Sequence, residues 1–277
     1  MARERLNPRQ WAQDHLEDMS ISKVIPSALT LLGLCSGATA VKFALIQEWK
    51  FAVVAIFCAM IFDVLDGQAA RWLGADSRFG AQLDSLADLV SFGLAPAVVV
   101  YSWSMSEMGT AGWIGALIFC ICAAIRLARF NIEAARDEGA TQSHPYFTGL
   151  PTPGASGVLL LPLLLSFEFQ SDVFRDPLFC LVLIAFTSIL MVSRVPTPSL
   201  KHNRLGRHAR IAAVALAGVL VPLVVYVPWA MLTVGLLIYL ATIPFVIARL
   251  GAKSQAPAPL YDEDADAEDL EHLVPPG

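Results

Sequence analysis

Charge is scarce in this chain: Asp, Glu, Lys and Arg make up 16% of its 277 residues, against roughly 25% in soluble globular domains. Mean hydropathy is +0.60, and the apolar residues gather in blocks of about 20, the length that crosses a ~30 Å hydrocarbon core as a helix. A water-soluble fold is thereby excluded. Also missing is any Cys-x-x-Cys pair. The cysteines at 35, 58, 120, 122 and 180 all lie inside apolar blocks, which argues against a zinc site or a disulfide framework and for small core hydrophobes. Residues 1–23 lack the basic-then-apolar order of a cleavable signal peptide. They carry Arg3, Arg5, Arg9, Asp14, Glu17, Asp18 and Lys23 among few apolar residues, so the first membrane helix is expected to stay in the mature protein. No solenoid period and no inverted repeat is found.

What is present is a series of eight candidate spans, at 24–46, 51–73, 83–103, 111–130, 153–168, 177–193, 210–228 and 230–249, read from block length and apolarity. The expected fold class is an all-α integral membrane protein, with both termini on one side. Residues 1–23 form an N-terminal arm, amphipathic if helical because Trp11, His15 and Met19 share a side, or else simply solvated. Residues 194–209 form a basic loop. Residues 210–249 hold the last two spans, and 250–277 an acidic tail expected to be disordered. The net charge of −5 comes from that tail, through Asp262, Glu263, Asp264, Asp266, Glu268, Asp269 and Glu271; without it the body is slightly basic. All basic residues except Lys42, Lys50 and Arg175 fall on the side of the N-terminus, which by the preference of Lys and Arg for short cytoplasmic loops puts both ends in the cytoplasm.

The second and third spans break the rule that membrane helices avoid charge. Asp63, Asp66, Arg71, Asp76, Arg78, Asp84 and Asp88 lie in or beside them, and an ionised carboxylate at mid-membrane costs roughly 2.5–3.5 kcal/mol on insertion scales. At helical spacing Asp63, Asp66, Gly67, Ala70 and Arg71 form one stripe, and Gly80, Asp84 and Asp88 a second. Joined by a loop of about ten residues, two such stripes can face each other and converge four carboxylates. Those charges would repel severely unless protonated or bound to cations. All-oxygen ligands suit hard divalent ions such as Mg²⁺, Mn²⁺ or Ca²⁺, and paired ions recur in phosphoryl transfer. Gly67 and Ala70 leave room on the same face, and Arg71 can reach phosphate oxygens with a planar fork. A phosphate-bearing substrate follows from these residue types.

The run Asp63-Val-Leu-Asp66-Gly67-Gln-Ala-Ala70-Arg71, eight residues, then Gly80-Ala-Gln-Leu-Asp84-Ser-Leu-Ala-Asp88 resembles the signature of the CDP-alcohol phosphatidyltransferases, D-x2-D-G-x2-A-R-x8-G-x3-D-x3-D. Every fixed position is present. Flanking stretches, Ile25-Pro26 to Gly37, Arg126-Leu-Ala-Arg129-Phe130-Asn131 and Phe147-Thr148-Gly149-Leu150-Pro151-Thr152-Pro153, resemble the branch of that family whose acceptor alcohol is serine. The resemblance implies a six-helix catalytic core, here residues 24–193, with two additional C-terminal transmembrane helices and the site at the cytoplasmic face of a bacterial inner membrane. It implies two divalent cations, Mg²⁺ or Mn²⁺. Asp63 and Asp84 would bridge them, Asp66 would complete the first site, and Asp88 would complete the second and serve as the base. Asp66, Gly67, Ala70, Arg71, Ser77 and Gly80, with Ser27 and Thr30 from the first helix, would contact CDP-diacylglycerol. The acceptor L-serine would attack the lipid-side phosphorus directly, releasing CMP.

Arg126 and Arg129 either anchor the end of the fourth span at the interface or bind the acceptor carboxylate, with Asn131 and Thr148 shaping the pocket. His144 reads as a solvated loop residue. Gly33-x3-Gly37 reads as a helix-packing face, and a homodimer is a further implication of the family. The run Lys201, Arg204, Arg207, Arg210 reads as a topology determinant with affinity for anionic membrane lipids, and no nucleic-acid partner is expected. Two rivals stand beside this reading. One is the same transfer to another alcohol, such as glycerol 3-phosphate, an inositol phosphate or choline. The other is a cation-coupled transporter, which would spread its carboxylates over several helices.

Overall fold

The computed structural model describes residues 21–75, 77–137, 146–193, 196–198 and 226–254. Most of the N-terminal arm, Asp76, His144, the basic run from Lys201 to Arg210, most of the predicted seventh span and the tail beyond Ser254 lie outside the described residues. The α-helices among the described residues are α1 (Ile21–Leu45), α2 (Trp49–Leu73), α3 (Arg78–Asp88), α4 (Ala95–Trp103), α5 (Thr110–Asp137), α6 (Thr152–Phe169), α7 (Pro177–Val192) and α8 (Pro228–Ser254). Among the described residues, five stretches are long and apolar enough to cross a membrane: Val24–Leu45, Trp49–Leu73, Phe79–Trp103, Thr110–Glu133 and Thr152–Phe169. Pro177–Val192 and Pro228–Thr242 are shorter apolar helices. The all-α membrane class holds. A short antiparallel ladder, β1 (Tyr146–Thr148) with β2 (Pro196–Pro198), is an addition that the apolar pattern does not signal.

Small residues set how closely the helices approach. Ala40, Ala44, Ala52, Ala55 and Ala59 are buried along α1 and α2, which connect through a turn with Gln47 in the left-handed region. Without a hydrophobic force between helices in lipid, close backbone contact is what holds such a pair. Gly33 and Gly37 are used the same way inside the chain. A Cβ on Gly33 would meet Phe62 of α2 at 3.4 Å, and one on Gly37 would run into Ser91. The Ser91 hydroxyl in turn donates to the Gly33 carbonyl at 3.2 Å. This glycine pair therefore packs within the chain. Gly37→Ala should destabilise the protein by about 1–3 kcal/mol through overpacking, read as a lowered melting temperature in detergent.

The expected third span is not one regular helix. Residues Leu89–Leu94 adopt a π turn between α3 and α4, with the Ala95 N–H bonding the Val90 carbonyl. Pro96, which has no N–H to give to Phe92, follows directly, and the wider turn accommodates it. Ser91, Phe92 and Gly93 of this turn are buried between α1 and α5, where a Cβ on Gly93 would lie 3.1 Å from Ala123 Cβ.

The link from α2 to α3 is also shorter than the sequence pattern suggests. α2 ends at Gly74, whose N–H returns to the Ala70 carbonyl, and α3 begins at Arg78, so residues 74–77 replace the expected loop of about ten. α5 continues past the apolar block to Asp137. At 1.5 Å per residue it outruns a ~30 Å membrane core, so its polar C-terminal turns are presented beyond the apolar slab.

At the bundle end where α4 finishes, Arg175 Nε donates to the Trp103 carbonyl at 2.8 Å and the Ser104 hydroxyl to the Arg175 carbonyl at 2.8 Å. Lys50 sits 5.8 Å from the Phe167 ring centre. These two basic residues hold one end of the bundle. The acidic constellation occupies the other.

Candidate metal centre and acceptor pocket

Asp63 and Asp66 stand one turn apart on α2, and Asp84 rises from α3 to meet them. Carboxylate oxygens of all three lie within 4.8 Å of one another. The tight α2–α3 turn produces this convergence, and Ser77 fixes it: its Oγ accepts from the Gly80 N–H at 3.0 Å, capping the first turn of α3. Ser77, a predicted nucleotide contact, thus has a structural task as well. Gly80 serves that cap, since a Cβ there would lie 3.0 Å from Ser77 Oγ.

Asp66 is buried, and the Thr30 hydroxyl donates to its Oδ2 at 2.6 Å. Thr30 therefore orients a carboxylate, the usual work of a residue behind a metal ligand. Ser27 lies half-buried one turn earlier on α1. Gly67 and Ala70 are half-buried on α2, and the exposed Arg71 folds back so that its Nη1 is 3.6 Å from where a Gly67 Cβ would be. The guanidinium thus lies across the open face left by the glycine.

Asp88 is one turn further along α3 and outside the close group of three. It remains within direct electrostatic reach of Asp63, Asp84, Asp66 and the Arg126 guanidinium. The two arginines of α5 then part company. Arg126 Nη1 donates to Thr152 Oγ1 at 2.6 Å, facing Asp88. Arg129 Nη1 donates to the Val192 carbonyl at 3.0 Å, satisfying the C-terminal end of α7 where a cation is favoured. Asn131 Oδ1 accepts from the Ser85 hydroxyl at 3.0 Å and ties α5 to α3 beside Asp84.

Of the run around Thr148, the residue that reaches Arg126 is Thr152. The Thr148 side chain lies outside the described residues. Gly149 makes the turn with φ +81°, where a Cβ would crowd the Met191 and Ser193 carbonyls, and the Leu150 N–H bonds the Leu190 carbonyl at 3.2 Å. The chain then enters α6 through Pro151, with Thr152 as the first helical residue. Thr152 stood within the quoted run, but nothing in the spacing singled it out. Tyr239 was missed altogether: it lies on α8 within electrostatic reach of Arg126, and a lone tyrosine in an apolar block gives no sequence signal.

The donor set fits a hard cation. Three carboxylates from two helices supply only oxygen, at a separation one ion can bridge, and one of them is already oriented by a hydroxyl; such sites suit divalent ions of the magnesium and manganese kind.

The comparisons with known proteins agree with this chemistry. Residues 23–197 match the model of the CDP-alcohol phosphatidyltransferase family. A protein of Mycobacterium leprae named CDP-diacylglycerol–serine O-phosphatidyltransferase is 37% identical over 227 residues, covering 81% of this chain and 75% of the relative. A Bacillus subtilis protein of the same name is 36% identical over 179 residues, 65% of this chain and 92% of the relative. One from Methanocaldococcus jannaschii, again with that name, is 40% identical over 144 residues, 51% of this chain and 61% of the relative.

Proposed function

The chain belongs to the CDP-alcohol phosphatidyltransferase family, and from that premise we propose that it transfers the phosphatidyl group of CDP-diacylglycerol to the hydroxyl of L-serine, giving phosphatidylserine and CMP. The observation that carries this reading is the meeting of Asp63, Asp66 and Asp84, with Arg71 lying over the neighbouring Gly67, at one end of a bundle of apolar helices. The names of the relatives support the acceptor.

Two divalent cations, Mg²⁺ or Mn²⁺, would be held by Asp63, Asp66, Asp84 and Asp88. Ions held there would supply charge neutralisation of the carboxylates and the diphosphate and Lewis-acid polarisation at phosphorus. Arg71, lying over Gly67, donates to the diphosphate oxygens. Ser27, Thr30, Ala70, Ser77 and Gly80 border the same face and shape the nucleotide's seat. The serine hydroxyl gives its proton to Asp88 as its oxygen forms the bond to the lipid-side phosphorus, and the bond to CMP breaks. An alcohol is a poor nucleophile at neutral pH, so positioning and charge neutralisation supply most of the acceleration. Arg126 holds the serine carboxylate. Arg129, through Val192, and Asn131, through Ser85, fix the walls around it.

In this reading the site faces the cytoplasm of a bacterial inner membrane with both termini on that side. The diacylglycerol tails stay in lipid while the headgroup enters between α1, α2 and α3. A homodimer belongs to the same reading on the family resemblance alone.

The experiment is CMP release by the purified full chain in detergent, with CDP-diacylglycerol and Mn²⁺ or Mg²⁺, comparing serine with glycerol 3-phosphate, inositol phosphate and choline. Release with serine alone, abolished by EDTA and restored by added metal, is the expected result. Release with another alcohol alone would keep the metal site and overturn the acceptor. No release with any of them would reopen the transport reading.

A further inference from the structure

The family match ends at residue 197, yet α8, which begins at Pro228, reaches back to the site. α6 sets its path. Trp229 packs edge-on against Phe167 with ring centres 4.9 Å apart, Leu236 lies over Gly157, and the Tyr239 ring lies over Gly154. A Cβ on Gly154 would come within 2.7 Å of the Tyr239 hydroxyl oxygen and 2.9 Å of its Cε1. The bare glycine is what lets the ring rest there. Gly154 is two residues from Thr152, the partner of Arg126, so the hydroxyl is delivered to the acceptor side of the site.

Two polar atoms in this corner are closed off from solvent and have no hydrogen-bond partner: Arg126 Nε and the Tyr239 hydroxyl. Arg126 is already oriented, because its Nη1 is committed to Thr152. Buried donors left unpaired in apolar surroundings are unfavourable. Tyr239 lies within electrostatic reach of Arg126, and a guanidinium N–H and a phenolic hydroxyl can both be satisfied by one small anion with two acceptor oxygens, the shape and charge of a carboxylate. Asp88 also interacts with Arg126, so an acceptor held there by its carboxylate has its hydroxyl within the neighbourhood of the base.

We propose that the Tyr239 hydroxyl and the Arg126 Nε–H together hold the carboxylate of the amino-acid acceptor, making α8 a contributor to acceptor binding beyond the family core. This rests on the serine reading above and adds a residue to it. Tyr239 acts on binding and takes no part in the chemical step. Its effect therefore belongs in the KM for the acceptor.

The test uses the purified full-length protein in detergent, with the wild-type acceptor comparison run first. Tyr239→Phe removes only the hydroxyl. It should raise the KM for serine by about 10- to 100-fold, the range for a hydrogen bond to a charged group, while kcat, the KM for CDP-diacylglycerol and the melting temperature stay near wild type. An unchanged KM for serine overturns the role of Tyr239 and leaves the serine reading intact. A loss confined to kcat or to the melting temperature does the same, since it marks a packing residue. Wild-type transfer to an alcohol other than serine overturns the underlying reading itself.

Discussion

Asp88→Asn should lower phosphatidyl transfer by about 100- to 10,000-fold, the usual share of a general base, while CDP-diacylglycerol still binds. Asparagine keeps the shape and most of the hydrogen bonding of the side chain but cannot take up the serine proton. The group of Asp63, Asp66 and Asp84 does not include Asp88, so removing its charge leaves the three-carboxylate cluster whole. Single-turnover CMP release, with lipid binding measured in parallel, checks this. The two roles given to Asp88 separate by metal titration. A variant that has only lost a ligand recovers as Mn²⁺ is raised, whereas one that has lost its base stays slow at saturating metal. Near-normal turnover would remove Asp88 from the mechanism.

Asp84→Asn should do more damage and of a different kind. Asp84 is the one member of the close cluster supplied by α3, the other two coming from α2. Without it the close cluster keeps no carboxylate from α3. Transfer should fall by at least about a thousandfold, since metal assistance to phosphoryl transfer supplies several kcal/mol and each 1.36 kcal/mol is tenfold in rate. Metal-dependent binding of CDP-diacylglycerol should fall with it, in contrast to Asp88→Asn. Stability gives an independent readout. In EDTA the wild-type carboxylates repel one another, so removing one charge should leave the melting temperature unchanged or raised. Added Mn²⁺ should stabilise the wild type by mass action and the variant far less. A variant that retains the full Mn²⁺-induced shift would show that Asp84 is not a ligand.

Much of this site was legible in the chain because helical geometry is local. Four aspartates at spacings of three and four on two apolar blocks must stand on two stripes, whatever the rest of the fold does, and charge in such blocks is too costly to be idle. The link between the stripes was not legible in the same way. The polar residues around Arg78 looked like loop, yet the Ser77 cap draws them into α3 and leaves only residues 74–77 outside the helices. The π turn at Leu89–Leu94 was hidden as well. It adds no residue type of its own, only an extra residue in one turn, and it rotates α4 relative to the aspartate stripe.

The sequence by itself determined that this protein lives in a membrane, that its acids lie on the second and third long apolar blocks, and that their pattern suits hard divalent cations and a phosphate-bearing substrate. Each of these depends on residue type and on spacing within a single helix. Only the tertiary structure decided which of two nearby arginines faces the site and which caps α7, that Thr152 is the partner of Arg126, and that Tyr239 arrives from α8 across Gly154. Those pairings join residues from 26 to 63 positions apart by hydrogen bonds, and α6 to α8 across a longer gap still. They are set by how whole helices dock through their small residues, and no local pattern encodes that.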